Sequence, residues 1–218
     1  MEPSFWHARW EANEIGFHQP DINPHLQRYW PQLRVPRDGC VFVPLCGKSG
    51  DMLWLAAEGH RVTGVELSPL AVQAFFAENG LRPQVRAQGR FTAHQAAEIT
   101  LLEGDFFDLR PEDVGRPAAV YDRASLIALP PEMRRRYARH MVSLLAPGTA
   151  VLLIALDYPQ AEMDGPPFAV SPAEVEDLYA ADFSIAAFAG QDILAESPGL
   201  RARGLTRLTE RAYHLVRR

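Results

Sequence analysis

Glu66, Asp105 and Arg123 are the residues whose types and spacing most plainly suggest chemistry, because each follows an apolar run. Glu66 ends Arg61-Val62-Thr63-Gly64-Val65-Glu66, sixteen residues past Gly50. Before it, Val41-Phe42-Val43 leads into Pro44-Leu45-Cys46-Gly47-Lys48-Ser49-Gly50. A short strand, a glycine-containing turn, an amphipathic helix and a second strand ending in an acid form the nucleoside site of a doubly wound α/β domain. Glycine lets the turn's backbone approach a ligand, and a carboxylate at the second strand's tip can accept from both ribose hydroxyls. Asp105-Phe106 follow a third strand, where an acid can accept from an adenine amino group and a ring can flank the base. Asp122-Arg123 end a fourth, where a guanidinium can pair with a carboxylate or polarise an electron-rich acceptor.

Other motifs fail on spacing. Gly47-Lys48-Ser49 resembles the end of a P-loop, but the required glycine five residues earlier is Phe42. The same turn brushes a serine-hydrolase elbow, but the last glycine position is Asp51. The G-x-G-x-x-G of dinucleotide domains is absent, so the turn is poorly shaped for a pyrophosphate. The histidines are scattered without zinc-ligand spacing, so no metal is expected. His7 and His18, the two nearest the proposed chemistry, are read as structural.

The elements that must position these residues alternate from Cys40 onward. Strands are expected at 40–45, 61–66, 99–103, 118–122 and 150–156. The last is a continuous apolar run, as for a strand buried on both faces. A helix is expected from Ser49 as N-cap, with Met52, Leu53, Leu55 and Ala56 inward and Gly59 as its stop. Ser68-Pro69 opens another, ending at Gly80. Helix 131–145 turns Tyr137, Met141, Leu144 and Leu145 inward and Arg134, Arg135 and Arg136 mostly outward. Residues 85–98 read as a hairpin or a loop insertion. Ser171-Pro172-Ala173-Glu174 reads as a capping box. Two late strands, around 183–188 and 206–215, lack a crossover helix between them and must pair antiparallel. Five βα units ending in such a pair favour the sheet of S-adenosylmethionine-dependent methyltransferases over that of dehydrogenases. Residues 4–30 stand apart as two short helices with three of the four tryptophans. Packing against the core is the first reading of those rings, and covering a ligand the second.

Composition sets outer bounds. The 218 residues suit one domain and are 47% hydrophobic, enough for a full core. A net charge of −5 gives no case for nucleic acid or an anionic membrane. No apolar run approaches the roughly 18 residues that span a bilayer. Lys48 is the sole lysine beside 21 arginines, which reads as codon bias. Cys40 and Cys46 flank a strand without a disulfide framework or a secretory leader, so reduced thiols in the cytoplasm are expected.

Several segments together resemble the thiopurine S-methyltransferase family. They are Pro44-Leu45-Cys46-Gly47-Lys48, Gly59-His60 with Gly64-Val65-Glu66, Asp122-Arg123-Ala124-Ser125-Leu126, and Gly165-Pro166-Pro167-Phe168. Trp6-His7-Ala8-Arg9-Trp10 and Gly16-Phe17-His18-Gln19-Pro20 resemble its bacterial members. The likeness runs from Trp6 to the final strand. It implies an α/β, doubly wound class I S-adenosylmethionine-dependent methyltransferase fold. The sheet would be mostly parallel and seven-stranded, with an antiparallel C-terminal strand pair. One domain would hold a helical cover over 1–35 and a Rossmann-like core over 36–218.

The resemblance further implies S-adenosylmethionine as donor and a small aromatic or heterocyclic thiol, such as a thiopurine, as acceptor, methylated in line. Trp10, Leu45, Glu66 and Arg123 match the family's cofactor contacts, and Asp105 and Phe106 fall where adenine is held. Phe17 matches an aromatic between cofactor and acceptor. Arg123 also sits near the acceptor, and a second arginine there corresponds to Arg201 or Arg203. A monomer without nucleic-acid or membrane partners is implied. The alternatives are a methyltransferase for selenium or tellurium species or another small nucleophile, and a nicotinamide-dependent oxidoreductase.

Overall fold

The computed structural model describes residues 3–218. Its frame is one ten-stranded sheet. The strands are β1 (Cys40–Val43), β2 (Arg61–Glu66), β3 (Gln84–Gln88), β4 (Phe91–Ala96), β5 (Ile99–Glu103), β6 (Ala119–Arg123), β7 (Ala150–Asp157), β8 (Phe183–Ala187), β9 (Gln191–Asp192) and β10 (Thr209–Arg217). They lie in the order β3-β4-β5-β2-β1-β6-β7-β10-β8, with β9 on β10. The five strands β5-β2-β1-β6-β7 pair parallel. β10 inserts antiparallel between β7 and β8, as the missing crossover required. The seven expected strands are therefore present. The ambiguous 85–98 region is a hairpin, β3–β4, that widens the sheet beyond β5.

Alternation along the strands divides the core in two. Val41 and Val43 face one layer with Leu152 and Ile154, while Phe42 faces the other with Val151, Leu153 and Ala155. On the first face lie α2 (Pro24–Tyr29), α3 (Asp51–Ala57) and α4 (Pro69–Glu78), contributing Leu26, Leu55, Val72 and Phe75. On the second lie α5 (Pro111–Val114), α6 (Pro131–Leu144) and α7 (Pro172–Tyr179), contributing Val114, Tyr137, Met141 and Val175. Two short helices, α1 (Pro3–Glu11) and α8 (Pro198–Ala202), stand at the carboxyl end of the parallel strands, where ligands bind in such sheets.

Three local expectations are corrected. The helix after the first strand begins at Asp51 with Gly50 at its cap; the Ser49 hydroxyl, one residue earlier, accepts from both Asp51 N at 3.3 Å and Arg123 Nη2 at 3.0 Å. Arg134 is not outward: it is 1% exposed, with Nε donating to Leu129 O and Nη1 to Ala169 O and Glu174 Oε1. That contact also removes half of the expected capping box. Ser171 Oγ still accepts from Glu174 N at 3.2 Å, but the Glu174 carboxylate turns to the arginine instead of the cap. The short first strand is the third case. It ends at Val43 because Leu45 adopts a left-handed φ of 45°.

The first thirty-five residues divide between the two readings offered for their aromatics. Leu26, Tyr29, Trp30 and Leu33 are buried in the core. Trp6, Trp10 and Phe17 instead form edge-on contacts with centroids 5.6–5.8 Å apart, and all three line a cavity. Asn23 caps α2 through its side chain, while its backbone N–H donates to Asp51 Oδ1 at 2.9 Å. Trp30 Nε1 donates to His60 Nε2 at 3.0 Å, a second tie to the sheet layer.

Candidate active site

A cavity of about 1120 Å³ opens at the carboxyl ends of β1, β2, β5, β6 and β7. Trp10, Phe17, Leu45, Glu66, Asp105, Phe106 and Arg123 all line it. The structure therefore brings together the seven residues matched to cofactor or acceptor contacts, whereas His7, Asp122 and Arg201 do not line the cavity. Of the two arginines left open near the acceptor, Arg203 lines the cavity and donates from Nη1 to Pro166 O at 3.1 Å.

Glu66 occupies one end. Its Oε2 accepts from Gly47 N at 2.8 Å and its Oε1 from Ser68 N at 2.7 Å. One lone pair on each oxygen remains, the number that a vicinal diol needs. Burial raises the Glu66 pKa, against the lowering effect of these backbone donors. The turn beneath it carries left-handed backbone at Leu45 and at Gly47, with φ of 45° and 53°. For a leucine that conformation costs about 1–2 kcal/mol, so packing must hold it. A Cβ on Gly47 would lie 3.4 Å from the Trp10 ring, which sets how closely the indole covers the turn. At Gly64 a Cβ would sit 2.7 Å from both Cys46 Sγ and Leu101 Cδ2, so β2 needs glycine to admit the turn.

Asp105 begins a 3₁₀ turn, its Oδ1 accepting from Phe107 N at 2.9 Å. Among the described residues its Oδ2 accepts no hydrogen bond, which leaves it available to a donor. Phe106 is mostly core: its ring stacks on Tyr137 at 4.6 Å and is only 4% exposed. The neighbouring Phe107 also lines the cavity, under the Arg136 guanidinium at 3.9 Å. Sequence reading did not single out Phe107, because two consecutive phenylalanines carry no signal of which one is buried.

Arg123 occupies the other end. Nε donates to Asp51 Oδ2 at 2.9 Å and Nη2 to Ser49 Oγ, while Nη1 makes no hydrogen bond among the described residues. Its side chain is 11% exposed. Burial lowers the guanidinium pKa, but facing Tyr121, Asp51 and Glu210 outweigh it and raise it. Asp51, 1% exposed, also accepts from Tyr121 OH at 2.9 Å and from Asn23 N. This carboxylate fixes the arginine and ties the N-terminal segment to it. No sequence pattern marks that role, since Asp51 reads simply as a first-turn acid of a helix. Lys48 lines the cavity and pairs with Glu78 at 2.6 Å. His18 also lines it; burial lowers its pKa, aided by Lys48, whereas His7 does not reach the cavity. Cys46 is a neutral thiol, its pKa driven well up by burial and then by the Glu66 charge.

Donor set and shape suit S-adenosylmethionine. A carboxylate with two vacant acceptor positions matches the ribose diol, and a free aspartate oxygen matches the adenine amino group. A predominantly apolar and aromatic wall surrounds both.

The sheet order and the ligand end define the class, and solved structures agree. A magnesium protoporphyrin IX methyltransferase from Synechocystis with bound S-adenosylhomocysteine superimposes with a TM-score of 0.63 at 15% identity, covering 99% of both chains. A 1,6-didemethyltoxoflavin-N1-methyltransferase from Burkholderia thailandensis gives a TM-score of 0.65 at 15% identity, over 99% of this chain and 87% of the other. These likenesses establish an S-adenosylmethionine-dependent methyltransferase fold. The family profile described as Thiopurine S-methyltransferase matches residues 1–218, and the chain belongs to that family. Thiopurine S-methyltransferases of Nitrosospira multiformis and Pseudomonas fluorescens are 53% and 51% identical to it, each covering at least 99% of both chains.

Proposed function

We propose that the cavity transfers the methyl group of S-adenosylmethionine to the sulfur of a small aromatic or heterocyclic thiol, thiopurines included. The observation that carries this reading is the pairing, in one apolar cavity, of the diol-ready Glu66 with an Arg123 whose Nη1 is free. S-adenosylmethionine, when bound, would supply an electrophilic methyl: as an acceptor sulfur attacks it in line, the sulfonium S–CH3 bond breaks and S-adenosylhomocysteine leaves, a thiolate becoming a neutral thioether and a thione doing so by loss of its ring N–H proton.

The protein contributes alignment and exclusion of water. Glu66 holds the ribose, with Leu45 and Trp10 against the nucleoside and methionine parts. Asp105 takes the adenine amino group, and Phe106, with Phe107, forms the apolar wall beside the base. Arg123, locked at Nε and Nη2, turns Nη1 to the electron-rich acceptor. Phe17, 38% exposed at the mouth, contacts the acceptor ring. Within a single domain, residues 3–19 cover the cavity mouth while 26–33 pack into the core, and the 165–168 loop forms part of the rim. Arg134 holds that loop from behind through Ala169 O. The protein acts as a monomer in the cytoplasm; among the described residues no helix is long and apolar enough to cross a membrane.

Calorimetry with S-adenosylmethionine, NAD and NADP, followed by mass detection of methylated 6-mercaptopurine, tests the reading. Donor binding and S-methyl product are expected. Binding of a nicotinamide cofactor alone would overturn it. Arg123→Ala should lower the rate at saturating donor and acceptor at least tenfold, and an unchanged rate removes Arg123 from the mechanism.

A further inference from the structure

Glu210 is a buried carboxylate on the cavity wall that the roles above leave unused. It lies on β10, opposite Leu156 of β7, at the same end of the sheet as Arg123. Its residue exposure is only 8%. His25 Nε2 approaches Oε2 to 3.1 Å, but the ring makes no hydrogen bond there. No other described group donates to Glu210, so Oε1, on a residue that lines the cavity, has no donor among the described residues. A carboxylate removed from bulk water and without donors is costly unless something bound there supplies them.

The chemistry beside it defines what that is. Glu210 pairs with Leu156 of β7, and Arg123 and Tyr121 pair with Ile154 and Leu152 of the same strand, so alternation puts all three on one face of the sheet at the cavity. The cavity thus presents a free N–H donor at Arg123 Nη1 and a free acceptor at Glu210, among aromatic and aliphatic walls. A heterocyclic thiol in its thione form carries the complement: an electron-rich sulfur on a carbon whose ring neighbour is an N–H. We propose that Glu210 is an acceptor-binding residue that receives a hydrogen bond from this ring N–H and so selects thioamide-type heterocycles over simple thiolates. A bare aryl thiolate offers Glu210 no donor and brings a second negative charge towards it. Selection against such acceptors therefore comes from repulsion as well as from the unmade hydrogen bond. The inference rests on the S-methyltransferase reading and specifies its substrate class.

Glu210→Gln tests it with two acceptors, 6-mercaptopurine and thiophenol. Acceptor binding is read directly by quenching of Trp6 and Trp10 fluorescence, and turnover by methylated product. Glutamine keeps a carbonyl acceptor but loses the charge, so both Kd and KM for 6-mercaptopurine are expected to rise about fivefold or more. The KM for thiophenol should stay the same or fall, and the calorimetric Kd for S-adenosylmethionine should not move. Unchanged 6-mercaptopurine binding overturns the proposal. So does a parallel loss for both acceptors, which marks Glu210 as a support for His25. If the glutamine variant does not fold, Glu210→Asp keeps the charge but withdraws the oxygens, and the same loss of selectivity is required of it. A wild-type protein that methylated no thiol would overturn the parent reading, while the fluorescence titration would still decide the role of Glu210.

Discussion

Replacing Asp51 by alanine should destabilise the protein and disable the acceptor end of the site together. Asp51 is 1% exposed and serves three donors: Asn23 N, Tyr121 OH and Arg123 Nε. Removing one partner of a buried ion pair costs about 3–5 kcal/mol, because the other charge stays buried and uncompensated. Two neutral donors left unmet add about 1–3 kcal/mol each in a dry interior. The pair borders the cavity, however, so water can reach the truncated position and meet part of this loss. A net cost of about 3 kcal/mol follows, against a total stability of about 5–15 kcal/mol. With a urea slope of ~2 kcal/mol per molar, the midpoint should fall by ~1.5 M. Circular dichroism in urea reads this directly. Arg123, no longer held at Nε, should also lose its fixed aim, lowering kcat/KM for the thiol at least tenfold. The double variant Asp51→Ala/Arg123→Ala should cost less than the sum of the two, since it leaves no orphaned charge. A loss under about 1 kcal/mol in the single variant, or strict additivity in the double, would refute the assignment of Asp51 as the arginine's anchor.

Two further outcomes follow from the buried acids. Glu66→Gln should weaken donor binding about tenfold or more by calorimetry, since one of the two acceptor oxygens becomes a donor. Because burial raises the Glu66 pKa above 4.5, wild-type donor affinity should begin to fall on acidification at a higher pH than for an ordinary glutamate. An affinity that is flat from pH 7 to pH 4.5 contradicts this. Asp122 accepts from Tyr137 OH at 2.8 Å, while its Oδ1 is buried without a partner. Burial raises its pKa from 3.8 to about 6. The native state then keeps a proton that the unfolded chain gives up, so the Asp122 contribution to stability declines as pH rises from about 4 to about 6. The full decline is about 3 kcal/mol. Asp122→Asn should therefore gain stability relative to wild type by about this amount between pH 4 and pH 7, measured by urea unfolding at both. An equal wild-type-to-variant difference at the two pH values would exclude Asp122 as the titrating group.

Much of the site was legible because it sits at strand ends, where sequence pattern and position in the fold coincide. Glu66, Asp105 and Arg123 each follow an apolar run, and parallel pairing places the ends of those runs together at one edge of the sheet. The turn between β1 and α3 was legible for a related reason, since Gly47 and Gly64 answer requirements of φ and close approach that few residues meet. The inward turn of Arg134 was not, because helical periodicity places a side chain on a face but cannot say that an Ala169 carbonyl and a Glu174 carboxylate from distant segments wait there. The same holds for Asp51, whose three donors come from residues 23, 121 and 123.

The sequence by itself determined the alternating βα order, the antiparallel tail, the family and the acid at the tip of β2. These depend on local spacing, turn chemistry and the lack of a crossover helix, all of which are written along the chain. Tertiary structure alone decided which partner each polar side chain found. It locked Arg123 at two nitrogens and left the third free. It placed Arg203 rather than Arg201 on the cavity wall, and it set Glu210 across from the arginine without a donor of its own. Such pairings join residues as far apart along the chain as His25 and Glu210, through a sheet whose geometry exists only once the whole chain has closed around it.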